Sequence, residues 1–179
     1  MRLFYAIGLW GLLDLTHLRE TLDDLPQLRW VAPERVHITL SFLGEVSADV
    51  CKDAAETLKD VAANYAPFTL KWQGVGSFPL GRPPRVLWVG LDDLSARQVI
   101  RMSKDLGNRR PAPHVTVARV KGVLPDEAVE RWQTVECAWP QVRVTQIQLV
   151  ESKLTPTGPI YTIVASEKLR ARGSCPHTY

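Results

Sequence analysis

The chain lacks most of what would mark it as secreted, membrane-spanning or cofactor-bound. Its 179 residues include three cysteines, Cys51, Cys137 and Cys175, and no two of them form a C-x-x-C. An odd, scattered set of this kind builds no disulfide framework and reads as a reduced, cytoplasmic protein. No apolar run is long enough to span a bilayer, so no membrane association is expected. The opening MRLFYAIGLWGLLDL begins like a signal peptide, but Asp14 interrupts it and no small-x-small cleavage site follows. It reads as a first strand instead. Excess charge of one sign is also missing. The net charge is +3, and near the end Lys168, Arg170 and Arg172 outweigh Glu167, which leaves the body close to neutral. That balance argues against a surface built only to hold nucleic acid, although a local basic patch is compatible with it.

Nucleotide-cofactor motifs are absent too. GVGSFP carries two glycines of a dinucleotide fingerprint but lacks the third, and no G-x-x-x-x-G-K-[ST] loop occurs. No K-x-D-G occurs either, so the lysine nucleophile of ATP-dependent nucleotidyl ligases is missing. No cofactor is expected. Histidine is scarce, with four residues in all.

What is present suits one soluble domain: 45% of residues are apolar and 23% charged, enough for a sizeable core. RLFYAIGL (2–9) reads as a buried strand. Leu15, Leu18, Leu22 and Leu25 predict a helix that Asp14 caps and Pro26 ends. RVHITLSFLG (35–44) is a strand. Ser47 caps a helix with Val50, Ala54, Leu58 and Val61 on one face. FTLKW is a short strand. The order then restarts. RVLWVGL (85–91) echoes RLFYAIGL. A helix follows, with Leu94, Val99, Met102 and Leu106 on one face and Gly107 at its end. HVTVARV (114–120) is a strand, and Pro125 opens a short helix. Two more strands, 142–150 and 160–165, flank TPTGP. The expectation is an α+β fold of two pseudo-symmetric lobes, residues 1–166, followed by a basic tail, 167–179.

Two of the four histidines open the same small pattern, HITL at 37–40 and HVTV at 114–117. On a strand, residues i and i+2 share a face. His37 and Thr39 therefore stand side by side, as do His114 and Thr116. If the two faces meet across a cleft, the site holds two imidazoles and two hydroxyls. That set fits in-line displacement at a phosphodiester. A neutral imidazole takes a proton from the attacking oxygen, and a protonated one gives a proton to the leaving oxygen. The hydroxyls donate to the non-bridging oxygens, where charge gathers. Imidazole suits both roles because it titrates near neutrality. One His-x-Thr alone would more often be structural; two in matching places of a repeat point to function. A metal centre is the other chemistry that histidine serves. No His, Cys, Asp or Glu lies at i+2 or i+4 from either residue, so it would need remote ligands. His17 is expected at the surface of the first helix and His177 in the tail, where Cys175-x-His177 is too little for zinc.

The ordered series RLFYAI, LRWVAPERVHITLSFLGEV, GSFPLGRPPRVLWVGL, PHVTVARVK and ESKLTPTGPIY resembles the two-histidine phosphoesterase superfamily. Within it, the chain is most similar to the bacterial and archaeal RNA 2′,3′-cyclic phosphodiesterases, formerly called 2′-5′ RNA ligases. The resemblance covers roughly residues 2–165. It implies antiparallel sheets around a central cleft with the helices outside, each lobe supplying one His-x-Thr strand. It implies hydrolysis of nucleoside or RNA 2′,3′-cyclic phosphate ends to 2′-phosphates, with RNA ends or cyclic nucleotides as partners. With no carboxylate ligand near either histidine, no metal is expected, and the protein is expected to be a monomer. His37 takes the place of the proton donor and His114 that of the acceptor. Thr39 and Thr116 match the phosphate-binding residues, Arg119 the arginine after the second motif, and Tyr5 an aromatic near the base. Arg119 has the opposite strand parity to His114, so it reaches the site only where the strand ends or twists. Phe42, of opposite parity to His37, is expected in the core. Two departures stand out: the stretch from Gly90 to His114 is short for the family, and Gly8 occupies a position that is usually acidic. Two other functions remain compatible: ligation by the reverse reaction, and a non-catalytic RNA-binding module.

Overall fold

The first strand, β1 (Arg2–Gly8), explains its own composition. Leu3, Tyr5 and Ile7 point into the main core, while Phe4 and Ala6 are buried on the opposite face by a second, aromatic cluster. A strand covered on both sides shows no polar alternation, hence the unbroken apolar run. The computed structural model describes residues 1–23, 25–156 and 158–170. In these, β1 is an inner strand of an antiparallel sheet ordered β10-β9-β1-β3, with β3 spanning His37–Glu45, β9 Gln146–Thr155 and β10 Gly158–Lys168.

A second antiparallel sheet has the order β2-β7-β6-β5, formed by β2 (Leu28–Trp30), β5 (Trp72–Phe78), β6 (Val86–Leu91) and β7 (Val115–Val120). A two-stranded ribbon, β4 (Phe68–Leu70) with β8 (Val142–Val144), completes the pairing. The α+β architecture with one His-x-Thr strand per sheet is as expected. The repeat is not a clean division of the chain, however. β2 and β5 from the first half build the second sheet, and the β9–β10 hairpin from the end of the chain builds the first. One continuous core joins them, from Leu3, Tyr5 and Ile7 to Leu87, Val89 and Val115.

The helices cover the outside. α2 (Ala48–Ala63) is capped by Ser47, whose Oγ accepts the Val50 N–H at 3.4 Å, and it lies on β9 and β10. Its buried face is Cys51, Ala54, Leu58 and Val61; Val50, expected there, is 44% exposed. α3 (Asp93–Asp105) is capped by Asp92 and rests against β3, β4 and β6. Leu94 is 70% exposed because Ser95 takes the inward position. There its hydroxyl accepts the Lys71 N–H and donates to the Thr69 carbonyl. α4 (Asp126–Gln133) packs on β5, and Trp132 Nε1 donates to the Gly76 carbonyl at 2.8 Å. α1 (Thr16–Thr21) is shorter than its leucine spacing predicts, since Asp23 adopts φ 52° and turns the chain out of the helix.

Strand β10 passes the 166/167 boundary read from the sequence. It runs to Lys168, Leu169 is buried, and the Leu169 N–H donates to the Thr145 carbonyl at 2.8 Å. The Arg170 N–H donates to the Ala62 carbonyl at 3.4 Å, and residues 171–179, including Cys175 and His177, lie outside the described residues. His17 is exposed, as expected. Among the described residues no helix is long and apolar enough to cross a membrane.

Candidate active site

The register of β3 against β1 decides which side chains reach the open face of the first sheet. His37 pairs with Gly8, Thr39 with Ala6, Ser41 with Tyr5 and Phe42 with Phe4. Leu40 is an extra residue between the second and third of these pairs, a β-bulge that shifts the side-chain parity beyond it. Its freed carbonyl accepts from Asn108 Nδ2 at 2.8 Å. Because of the bulge, Phe42 joins the His37 face instead of the core; it is 70% exposed, with its ring 5.9 Å from that of Phe4.

The same device operates in the second sheet. Thr116 pairs with Trp88, Ala118 with Leu87 and Arg119 with Val86, leaving Val117 as the extra residue. Its carbonyl accepts the Val31 N–H at 2.8 Å. Arg119 is thereby brought to the face of Thr116, which resolves the parity conflict read from the sequence. Its charge is felt at His37.

Tyr5 goes the other way. It is 2% exposed, and its hydroxyl donates to the Ala54 carbonyl of α2 at 2.9 Å. The aromatic that β1 offers the cleft is its neighbour Phe4, one residue earlier and on the opposite face. The continuous apolar run of β1 hid this choice.

Each imidazole is held in the same way. His37 Nδ1 lies 2.7 Å from the carbonyl of Arg35, and His114 Nδ1 lies 2.6 Å from that of Ala112. A carbonyl can only accept, so Nδ1 carries the proton and Nε2 is left to exchange one. Each ring is also walled by aromatics. Phe4, Tyr161 and Trp10 surround His37 at centroid distances of 5.0, 5.3 and 5.6 Å. Phe78 and Trp88 flank His114 at 5.0 and 6.2 Å. Sequence reading missed Phe4, Trp10, Phe78 and Trp88 as neighbours of the histidines and left Tyr161 out.

Glycines make room for these walls. A methyl group at Gly8 would overlap Trp10 Nε1 and Gln148 Oε1, and one at Gly76 would overlap the Trp88 ring. Gly8 thus admits the 2.8 Å hydrogen bond from Trp10 Nε1 to Gln148, and an acidic side chain would not fit in its place. The GVGSFP stretch lies on β5 and its turn, so its glycine serves close packing and not a cofactor loop.

Burial among these rings lowers the proton affinity of both imidazoles. For His37 desolvation dominates, opposed by the Arg35 carbonyl and helped by the fields of His114 and Arg119. For His114 desolvation again leads, opposed by the Ala112 carbonyl. The field of one histidine at the other places them in a single electrostatic site. Thr39 and Thr116 occupy the same faces, half-buried. Among the described residues, no group of three His, Cys, Asp or Glu side chains gathers to hold a metal ion.

Comparison with known proteins fits this geometry. Residues 13–88, which include the first His-x-Thr strand, match the family described as LigT like Phosphoesterase. A protein of Aquifex aeolicus named RNA 2′,3′-cyclic phosphodiesterase is 33% identical over 150 residues, covering 76% of this chain and 79% of the relative. One of the same name from Archaeoglobus fulgidus is 35% identical over 172 residues, covering 90% and 96%. The chain belongs to the LigT-like phosphoesterase family. Solved structures share its shape. The crystal structure of TT0787 of Thermus thermophilus superposes with a TM-score of 0.80 at 27% identity, covering 97% of this chain and all of that one. Escherichia coli LigT complexed with 3′-AMP gives 0.71 at 26% identity, covering 95% and 98%.

Proposed function

We propose that this protein hydrolyses the 2′,3′-cyclic phosphate of RNA ends or nucleosides to a 2′-phosphomonoester, without a metal. The observation that carries this reading is the matched pair of imidazoles, one from each sheet, each with Nδ1 tied to a carbonyl and Nε2 available. Names borne by the relatives support the same substrate class.

In this mechanism His114 Nε2 takes a proton from water, and the water oxygen bonds to phosphorus. The phosphorus–O3′ bond breaks, and His37 Nε2 delivers its proton to the departing 3′-oxygen. The phosphate stays on O2′. Thr39 and Thr116 donate to the non-bridging oxygens as charge builds there, with Arg119 adding a fixed positive charge. The lowered proton affinity of both rings keeps the base neutral. A bound phosphodiester anion favours the charged imidazole, so the acid acquires its proton as substrate arrives.

The test is turnover of 2′,3′-cyclic AMP in excess EDTA, with the product identified as the 2′- or 3′-monoester. Activity should persist in chelator and yield 2′-AMP, and His37→Ala or His114→Ala should lower kcat by about 10²- to 10⁴-fold. Loss of activity in EDTA with recovery on adding a divalent ion, or formation of 3′-AMP, would overturn the reading.

A further inference from the structure

On the first sheet, the cleft face continues past His37 into a group of cations. Arg2 lies on the Phe4 side of β1, two residues before it. Arg35 precedes β3 and reaches across to the start of β10, where its Nη1 donates to the Pro159 carbonyl at 3.4 Å. That approach depends on Gly158, which has φ 116°; a Cβ there would stand 2.5 Å from Arg35 Nη1. Arg119 comes from the opposite sheet on the Thr116 face. Tyr161 pairs with Ser152 of β9, one residue along from the Glu151–Leu3 pair, so it lies across the sheet at the level of Arg2; its ring is edge-on to His37 at 5.3 Å.

Among the described residues, no carboxylate lies within ion-pair distance of Arg2, Arg35 or Arg119. Glu45, which pairs with Arg2 across the strands, has its carboxylate 3.6 Å from the amino terminus. Three guanidiniums without a carboxylate partner among those residues, gathered around one phenol, form a concentration of positive charge that the near-neutral body does not otherwise explain. All three fields reach the Tyr161 hydroxyl and oppose the upward shift that burial gives it.

We propose that Arg2, Arg35 and Tyr161, with Arg119 shared between the two sites, bind a second phosphate: the phosphodiester one nucleotide before the cyclic end of an RNA strand. Guanidiniums and a phenol supply donors suited to phosphate oxygens. Tyr161, edge-on to His37, ties this group of donors to the reacting end of the cleft. The subsite selects RNA ends over free cyclic nucleotides. It rests on the function proposed above and adds to it the strand that carries the cyclic phosphate.

Three substrates test it: 2′,3′-cyclic AMP, an adenosine dinucleotide ending in the cyclic phosphate, and that dinucleotide with a neutral methylphosphonate link. The protein should prefer the charged dinucleotide to the neutral one in kcat/KM by about tenfold or more, the scale of a hydrogen bond to a charged group. Arg2→Gln and Arg35→Gln should bring that ratio toward one, chiefly through KM. Equal rates on the charged and neutral links would overturn the subsite. So would variants that lose activity on all three substrates alike with the ratio kept, which would mark the arginines as structural. If the protein turned over none of the three, the proposed hydrolysis itself would fail, and the subsite with it. Turnover of cyclic AMP without preference for the charged link removes the subsite alone.

Discussion

Trp10 folds back over Gly8 so closely that a single methyl group at Gly8 would overlap the indole nitrogen. The contact fixes the indole where it donates to Gln148 and leans on His37, 5.6 Å away. Gly8→Ala must displace that ring or the strand. The expected cost is about 1–3 kcal/mol, the usual result of overpacking, together with lower activity as the wall of His37 moves. Urea denaturation and turnover, measured on the same preparation, check both effects; unchanged stability would show that the indole yields freely.

Tyr5 separates a core role from a base-binding one. Tyr5→Phe removes the donor to the Ala54 carbonyl and the hydroxyl's hydrogen bond with the Thr57 side chain. It should lower stability by about 1 kcal/mol or somewhat more and leave KM for cyclic nucleotides as it was. A raised KM with unaltered stability would return Tyr5 to the substrate.

Activity should depend on pH as a bell, because one imidazole must be neutral while the other is protonated. Its two limbs belong to the pair. Burial lowers the proton affinity of both rings in the free protein, so the kcat/KM profile should peak on the acid side of the ordinary imidazole value of about 6.5. The kcat profile should lie to its alkaline side, since bound phosphate restores proton affinity. A rate that climbs steadily into alkali would point to hydroxide or a metal-bound water.

Stability carries the same signature. The unfolded chain, with ordinary imidazoles, binds more protons below about pH 6.5 than the folded one. The contribution of the buried neutral rings is therefore full above that value and is lost as pH falls through their lowered folded values. Unfolding free energies measured from about pH 7.5 down to about 5 should decline less steeply in a His37→Gln variant than in the wild type. Parallel slopes would mean that His37 is not held neutral by the fold.

Leaving-group chemistry separates the acid from the base. A 3′-oxygen needs a proton as its bond to phosphorus breaks, whereas a nitrophenolate does not. On a nucleoside nitrophenyl phosphodiester, His37→Ala should recover much of its lost activity and His114→Ala should not. The recovered part is of the size of one general acid, about 10²- to 10⁴-fold. Rescue of His114→Ala alone would exchange the two roles.

His37, Thr39, His114 and Thr116 were legible in the sequence because their shared faces depend only on i, i+2 alternation within one strand. Phe42 was not, and Arg119 was reached through the resemblance against its own parity, since each lies beyond a bulge, at Leu40 and Val117. A bulge is a property of two strands in register, and one strand's pattern does not reveal it. Tyr5 and Phe4 were confused because β1 is covered on both faces. The walls of the histidines come from Trp10, Phe78, Trp88 and Tyr161, which share no spacing, and only the glycines at 8 and 76 hinted at rings packed against backbone. Helix caps at Ser47 and Asp92 are local hydrogen-bonding facts; Ser47 was read correctly, whereas Leu94 was misplaced by one position because Ser95 faces inward.

The interleaving of the two sheets sets the order in which the chain can become an enzyme on the ribosome. β1 is made well before its partner β9, which lies more than a hundred residues later, with Leu3 opposite Glu151. Until that hairpin leaves the exit tunnel, one edge of β1 stays unpaired and the aromatic wall around His37 lacks Tyr161. The second sheet is complete once β7 has been made, and it can pair beforehand. Such distant strand pairing is slow and exposes strand edges in the meantime. The nascent protein therefore depends on the β9–β10 hairpin to close its first sheet, and a message truncated before β9 would yield a chain with both His-x-Thr strands and no finished cleft.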